Sequence, residues 1–216
     1  MSKRIVYIGM ERGDFPYYLA TVLSTTESIL VIDNSYAGDL FRAVNKTDDT
    51  TSYESGNVTY ARNLDVAASE KSLESDFDLV LIYAGTNIDD TYFAGSDLTV
   101  FVMPDYTKPS LDMAASIPYD LSSENVVIIM RDYCSKKISE KSVSILFGVT
   151  PDKISGKIPL SLQDIAAYVS LTHNGKQNIR GLSDYMQEAI TYAVAKVSAL
   201  DRKSAAKAVT AAKKMK

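Results

Sequence analysis

Few side chains in this sequence can do covalent or metal chemistry by themselves. Its 216 residues contain one cysteine, Cys134, and one histidine, His173. That supply excludes a disulfide framework and a cysteine-built zinc site. It also argues against a histidine-rich metal centre or a Cys–His pair. Cys134, in RDYCSKK, reads as an incidental small residue after an apolar run. His173, in SLTHNGKQN, reads as a helix C-terminal residue, where an imidazole meets the negative end of the dipole. Asp89, Asp90 and Asp97 lack the ligand spacing of a calcium loop, and Asp48, Asp49 and Glu54 sit in a polar stretch, so both groups read as solvated. One segment remains: Gly9-Met10-Glu11-Arg12-Gly13-Asp14-Phe15-Pro16, directly after the first apolar run.

The elements that must position this segment alternate between two periods. Short β-branched runs read as strands at Arg4–Gly9, Ser28–Asp33, Val58–Ala61, Phe77–Tyr83, Leu98–Met103 and Asn125–Met130, with a short edge strand at Ile154–Leu160. Stretches with apolar residues three and four apart read as helices at Phe15–Thr26, Gly38–Val44, 63–74, Pro109–Ser116, Ser139–Gly148, Leu162–Leu171 and Leu182–Leu200. Asp14 is the expected N-cap of the first helix, and Pro16 lies in its first turn. Residues 45–57 are poor in apolar side chains and read as a loop. The runs FDLVLIY and LTVFVM are apolar throughout, as suits central parallel strands buried on both faces. The expected fold is therefore α/β, a doubly wound, mostly parallel sheet with helices on both faces. Ligands of such sheets bind beyond the carboxyl ends of the strands, here just after Ile8, Ile32, Ile82, Met103 and Met130.

Composition sets the outer limits. Hydrophobic residues make up 46% and charged residues 23%, enough for a packed core in one domain. No apolar run approaches the roughly 20 residues of a membrane span, and MSKRIVYIGM is too short in apolar residues to read as a signal peptide. Net charge is −4, yet residues 201–216 carry six basic side chains against one acid, so the rest of the chain is at −9. The division expected is a domain over 1–200 and a basic C-terminal tail over 201–216. An acidic body is not the profile of a dedicated nucleic-acid-binding fold.

The ordered series IVYIGMERGDFPYYLATVL, SILVID, FDLVLIYAG, SDLTVFVMP and NVVIIMRD resembles the deviant-Walker P-loop ATPases of the ParA/MinD type, over roughly residues 4–200. The resemblance implies a P-loop-type sheet, ATP with magnesium, and a nucleotide sandwich dimer. It also locates four departures. The family loop has glycines, lysines and a Ser/Thr hydroxyl for phosphate and magnesium. Here Gly9, Glu11, Arg12, Gly13 and Asp14 replace them, with no lysine and no hydroxyl. Arg12 stands nearest to the family lysine, and Asp14 is expected to put a carboxylate in the phosphate position. Asp33 ends the second strand, but Ser35 replaces the second acid of that landmark. Tyr83 stands where a magnesium-associated aspartate belongs, and the base-recognition strand ends Ile129-Met130-Arg131 without the family's asparagine.

These substitutions imply a degenerate, non-catalytic member that uses neither ATP nor magnesium. The expected role is a scaffold or positioning factor acting by dimerisation and protein partners, in partition, pilus, secretion or conjugation machinery. The alternatives are an ATPase switch with an atypical phosphate loop and a DNA-binding partition factor using the tail. Tyr17, Tyr18 and Tyr36 lie near the same end and either fill the pocket or face a partner. The tail residues Arg202, Lys203, Lys207, Lys213, Lys214 and Lys216 are candidates for weak contact with an anionic membrane or DNA, beside a thin apolar stripe of Ala205, Val209, Ala212 and Met215. The expected location is cytoplasmic, or peripheral at the membrane or nucleoid through that tail.

Overall fold

The computed structural model describes residues 2–45, 50–64, 76–94, 96–134, 138–176 and 178–214. Eight strands form one sheet: β1 (Lys3–Gly9), β2 (Ile29–Asp33), β3 (Ser52–Ser55), β4 (Val58–Arg62), β5 (Leu79–Gly85), β6 (Leu98–Met103), β7 (Val126–Tyr133) and β8 (Ile154–Pro159). Their order is β3-β4-β2-β5-β1-β6-β7-β8. Every pair is parallel except β3 with β4. The helices are α1 (Asp14–Leu23), α2 (Asp39–Val44), α3 (Lys108–Ala115), α4 (Glu140–Phe147), α5 (Leu162–Asn174), α6 (Asp184–Val197) and α7 (Arg202–Ala212).

Alternation along each strand splits the core in two. Ile5, Tyr7, Val31, Leu81, Tyr83, Phe101 and Ile129 face α1, α2, α5, α6 and α7. Val6, Ile8, Ile32, Ile82, Val102 and Ile128 face the other layer, with Leu111 of α3 and Val143 and Phe147 of α4. Central strands are therefore apolar at every position, which is why their runs show no alternation in the sequence.

Three local features differ from expectation. Residues 45–57 contain β3, an antiparallel partner of β4 whose four residues Ser-Tyr-Glu-Ser are all exposed. A strand with no buried face leaves no apolar pattern to read. The N-cap of α1 is Gly13, and Asp14 is the first helical residue. The helix expected over 63–74 lies almost wholly outside the described residues.

Residues 202–212 are a helix packed on the domain. Asp201 caps it by accepting from the Ser204 amide at 3.0 Å. Ala205, Val209 and Ala212 join the core beside α1 and α6. Ala205, Val209 and Ala212 of the stripe weighed for a membrane thus face the sheet layer, while Arg202, Lys203, Lys207 and Lys214 are exposed, Lys213 is half-buried, and Met215 and Lys216 lie outside the described residues. Burying Val209 alone contributes about 1.5–3 kcal/mol. Truncation after Leu200 is expected to lower Tm by about 5 °C or more, because 1 kcal/mol is worth about 2–4 °C at this size. Lys203→Glu and Lys207→Glu are expected to stay within about 2 °C of the parent. Thermal unfolding of the three variants checks both statements.

Candidate functional site

The carboxyl ends of β1, β2, β5 and β7 meet at the start of α1, and there the chain places its buried charges. Arg131, near the end of β7, reaches the first residue of α1. Its guanidinium grips Asp14 with both terminal nitrogens, at 2.6 and 3.0 Å. Arg131 and Asp14 are each at most 1% exposed. Asp14 also accepts from Arg12 at 3.0 Å and from the Phe15 amide at 2.8 Å. Burial is the largest single influence and would raise the Asp14 pKa, but the charge and hydrogen bonds of Arg131, with Arg12 and the Phe15 amide, together outweigh it, and the carboxyl is held below its ordinary value. Burial likewise works against the Arg131 cation, and Asp14 reverses the sign. Asp132 follows in a left-handed conformation, φ 52°, and takes a second bond from Arg12 at 3.2 Å. The Arg12 guanidinium also lies 5.7 Å over the Tyr168 ring. The cation nearest to a phosphate-binding lysine is therefore engaged by two carboxylates and an aromatic ring of this chain.

The loop between β1 and α1 is only Met10-Glu11-Arg12-Gly13. Its amides would face an anion at the helix N-terminus. The Gly13 amide instead donates to Asp39, at 2.7 Å. Asp39 opens α2, and two tyrosines hold its carboxylate: Tyr83 of β5 donates at 2.9 Å and Tyr168 of α5 at 2.8 Å. Burial, then Asp39, drives both tyrosine pKa values far up, so both stay as donors. A Cβ on Gly13 would sit 2.5 Å from the Leu40 Cβ, so only glycine lets α2 approach closely enough. Glu11 turns aside, accepting from the Thr86 amide and hydroxyl at 2.7 and 2.6 Å and from the Ala37 amide at 3.3 Å. Gly85, at φ +58°, makes room: a Cβ there would meet the Glu11 carboxylate at 2.5 Å. Glu11 and Asp14 are thus held by separate sets of partners.

Asp33 ends β2 and closes its own turn. It accepts from Ser35, amide and hydroxyl, at 3.1 and 2.5 Å, and from the Phe41 amide at 2.8 Å. The Ser35 hydroxyl in turn accepts from Gly38 at 3.0 Å. Burial pushes the Asp33 pKa up to about 6 against these bonds, and the Asp39 charge adds to the rise.

Gly9, Glu11, Arg12, Gly13, Asp14, Asp33, Ser35 and Tyr83 thus converge at one end of the sheet, with Gly9 opposite Met103 of β6. Tyr18 instead lies in the core, Tyr17 sits lower on α1, and Tyr36 is 73% exposed. Cys134 is exposed. His173 is in the last turn of α5, and Asp89 accepts from the Thr91 amide and hydroxyl. Among the described residues no cluster of acids, histidines and cysteines is arranged to hold a metal. Sequence reasoning missed Asp39, Tyr168, Thr86 and Asp132. The only signal for Asp39 was its place after Gly38, at a helix start.

Neither a protein-family model nor a curated protein matches this sequence. Solved structures do. A ParA family ATPase from Chlorobium tepidum superposes with TM-score 0.56 at 17% identity, over 98% of both chains. The MinC:MinD cell division complex of Aquifex aeolicus gives 0.55 at 12%, over 97% of this chain and 94% of that one. A putative plasmid partition protein from Borrelia burgdorferi, bound to AMPPNP, gives 0.53 at 15%, over 87% and 95%. The fold is that of the ParA/MinD proteins. In this ParA/MinD-type sheet, the Asp14–Arg131 pair joins the start of α1 to the end of β7, 117 residues apart.

Removing one partner of such a pair strands the other charge in the interior. Asp14→Asn and Arg131→Met are each expected to cost about 3–5 kcal/mol, while Asp14→Leu with Arg131→Met together should lose less than the sum. Denaturant unfolding of the three variants checks this. The two carboxylates also oppose each other in pH. Asp14, depressed, contributes stability above its unfolded pKa of 3.8 that is lost as pH falls through its lower folded value. Asp33, raised to about 6, contributes stability present below 3.8 and lost as pH rises to 6. Its share is about 3 kcal/mol. The Asp33→Asn variant should show no such decline between pH 4 and 6, measured by denaturant midpoints.

Proposed function

We propose that this chain is a non-catalytic ParA/MinD-like protein, a scaffold or positioning factor that works by dimerising and by binding protein partners. The observation that carries the reading is the Asp39 carboxylate on the Gly13 amide, beside Asp14 in the first turn of α1. Both places belong to phosphate in an ATP-binding loop. A triphosphate there meets Asp39, Asp14 and Glu11, and two like charges about 4 Å apart repel by about 1–4 kcal/mol in water to surface dielectrics. The donor set fits magnesium no better. The loop has no Ser/Thr hydroxyl, Tyr83 stands at the end of β5, and Asp33 is committed to Ser35 and Phe41. ATP and magnesium therefore do not fit the residues present, and no step of phosphoryl transfer is assigned.

Protein partners are supported by the company the fold keeps, a MinC:MinD complex and a plasmid partition protein. The machinery classes that suit such a factor are partition, pilus, secretion and conjugation. The exposed Tyr36 beside the filled site is a suitable dimer contact. The location that goes with this reading is the cytoplasm, with the outward basic residues of α7 available for weak contact with an anionic membrane or DNA.

Thermal unfolding with millimolar ATP, ADP or GTP and magnesium is expected to show no shift. A ligand at 100 times its Kd adds about 2.7 kcal/mol, so a rise of several degrees would instead identify a nucleotide switch with an atypical loop. Sedimentation at tens of micromolar is expected to give a dimer, and a monomer would remove dimerisation from the reading.

A further inference from the structure

A second cleft lies on the same face of the sheet, against the lower half of α1 rather than its start. It encloses about 570 Å³ between α1, the β3–β4 hairpin and the ends of α5 and α7. That volume is within the range of small-molecule sites. Its character differs from the charged site above. Tyr17, Tyr53 and Tyr60 come from α1, β3 and β4, and Val44, Val58, Ile179 and Ala212 supply apolar surface. Tyr60 is 3% exposed, and its pKa is driven well up by burial, then by Tyr17 and Tyr53, so three phenols crowd one space. Thr21 and Ser24 turn their hydroxyls onto the α1 backbone, at 2.8 and 3.0 Å, which leaves that wall less polar than its composition suggests. Among the described residues no carboxylate lines the cleft, and Lys176 is its one cation.

We propose that this cleft is a binding site for a flat aromatic compound, neutral or with a single negative charge. Aromatic rings offer stacking and edge contacts to a planar ligand. The apolar wall takes the ring faces, and a hydroxyl on the ligand edge can pair with the Tyr60 hydroxyl. Lys176 at the rim accommodates one carboxylate, whereas a cationic ligand finds no counter-charge among the described lining residues. The site owes nothing to the nucleotide-like end of the sheet, so it stands whether or not the scaffold reading does.

The test is a titration of the full chain followed by two-dimensional ¹⁵N–¹H NMR. The probes are indole and 4-hydroxybenzoate, with cyclohexanol as the saturated control. Saturable shifts are expected at the amides of Thr21, Ser55 and Gly175 for both aromatic probes, with binding by cyclohexanol at least tenfold weaker. Ser170→Trp, at a half-buried position on α5, should fill the cleft and weaken both probes tenfold or more. Tyr60→Phe should weaken 4-hydroxybenzoate about three- to tenfold and leave indole within twofold. The unchanged amide pattern of β1 and β5 reports that each variant is folded. Absence of saturable shifts at millimolar probe overturns the proposal, as does binding that Ser170→Trp and Tyr60→Phe both leave intact.

Discussion

The Asp14–Arg131 ion pair is the constraint on which the carboxyl end of the sheet depends. It is buried, bidentate and joins two elements far apart in sequence. Such a pair adds little stability over a well-packed apolar pair, because desolvation consumes most of the Coulomb energy. Its effect here is on geometry. A guanidinium fork accepts a carboxylate in few orientations, so the start of α1 is fixed against the end of β7. With that start fixed, a four-residue loop suffices to connect β1 to α1, and Gly13 is brought against Leu40. Asp39 then lies within reach of the loop amide. Around this pair, Arg131 Nε and the hydroxyls of Tyr7 and Tyr18 are buried without a well-formed hydrogen bond among the described residues, although Tyr7 lies close enough to Arg131 to feel its charge. One or two ordered waters would suit that polar, enclosed space.

A helix N-terminus presents unpaired amides and a partial positive charge, and something must answer them. A protein that binds phosphate leaves that answer to the ligand and accepts a looser end without it. This chain answers with its own carboxylates. Asp39 is held between two tyrosine hydroxyls that burial keeps protonated, and Glu11 is held by Thr86 and Ala37. The loop is thus ordered by contacts that never leave. A ligand for this loop would have to displace groups that are covalently tethered and therefore present at high effective concentration.

Much of the fold was legible in the sequence because central parallel strands are apolar throughout and helices carry a 3.6 period. IVYIG, ILVID, LVLIY, LTVFVM and VVIIM each mark a strand within a few residues of its bounds. The exposed β3 left no such mark, since Ser, Tyr, Glu and Ser touch no core. The tail helix was hidden for a related reason. Alanine covers little area per residue, so a stripe of Ala205, Val209 and Ala212 looks weak until α1 and α6 are seen to fit closely over it. At the candidate site, Gly9 to Asp14, Asp33, Ser35 and Tyr83 were visible because they end apolar runs. Asp39 and Tyr168 were not, because their role is set by a neighbour 26 or 129 residues away and by no local pattern.

The two borders of the sheet also limit how copies of this protein can assemble. One border is β3, four residues long and wholly exposed, with Glu54 in its middle. The other is β8, where Lys157 and Pro159 follow Gly156. Short strands, charge and proline are the devices by which natural sheets discourage strand-by-strand growth. Both margins are therefore poor templates for endless lateral polymerisation. Any contact between copies would therefore use the helical layers or the strand-end surface, where the symmetry of the contact decides between a closed particle and an open filament.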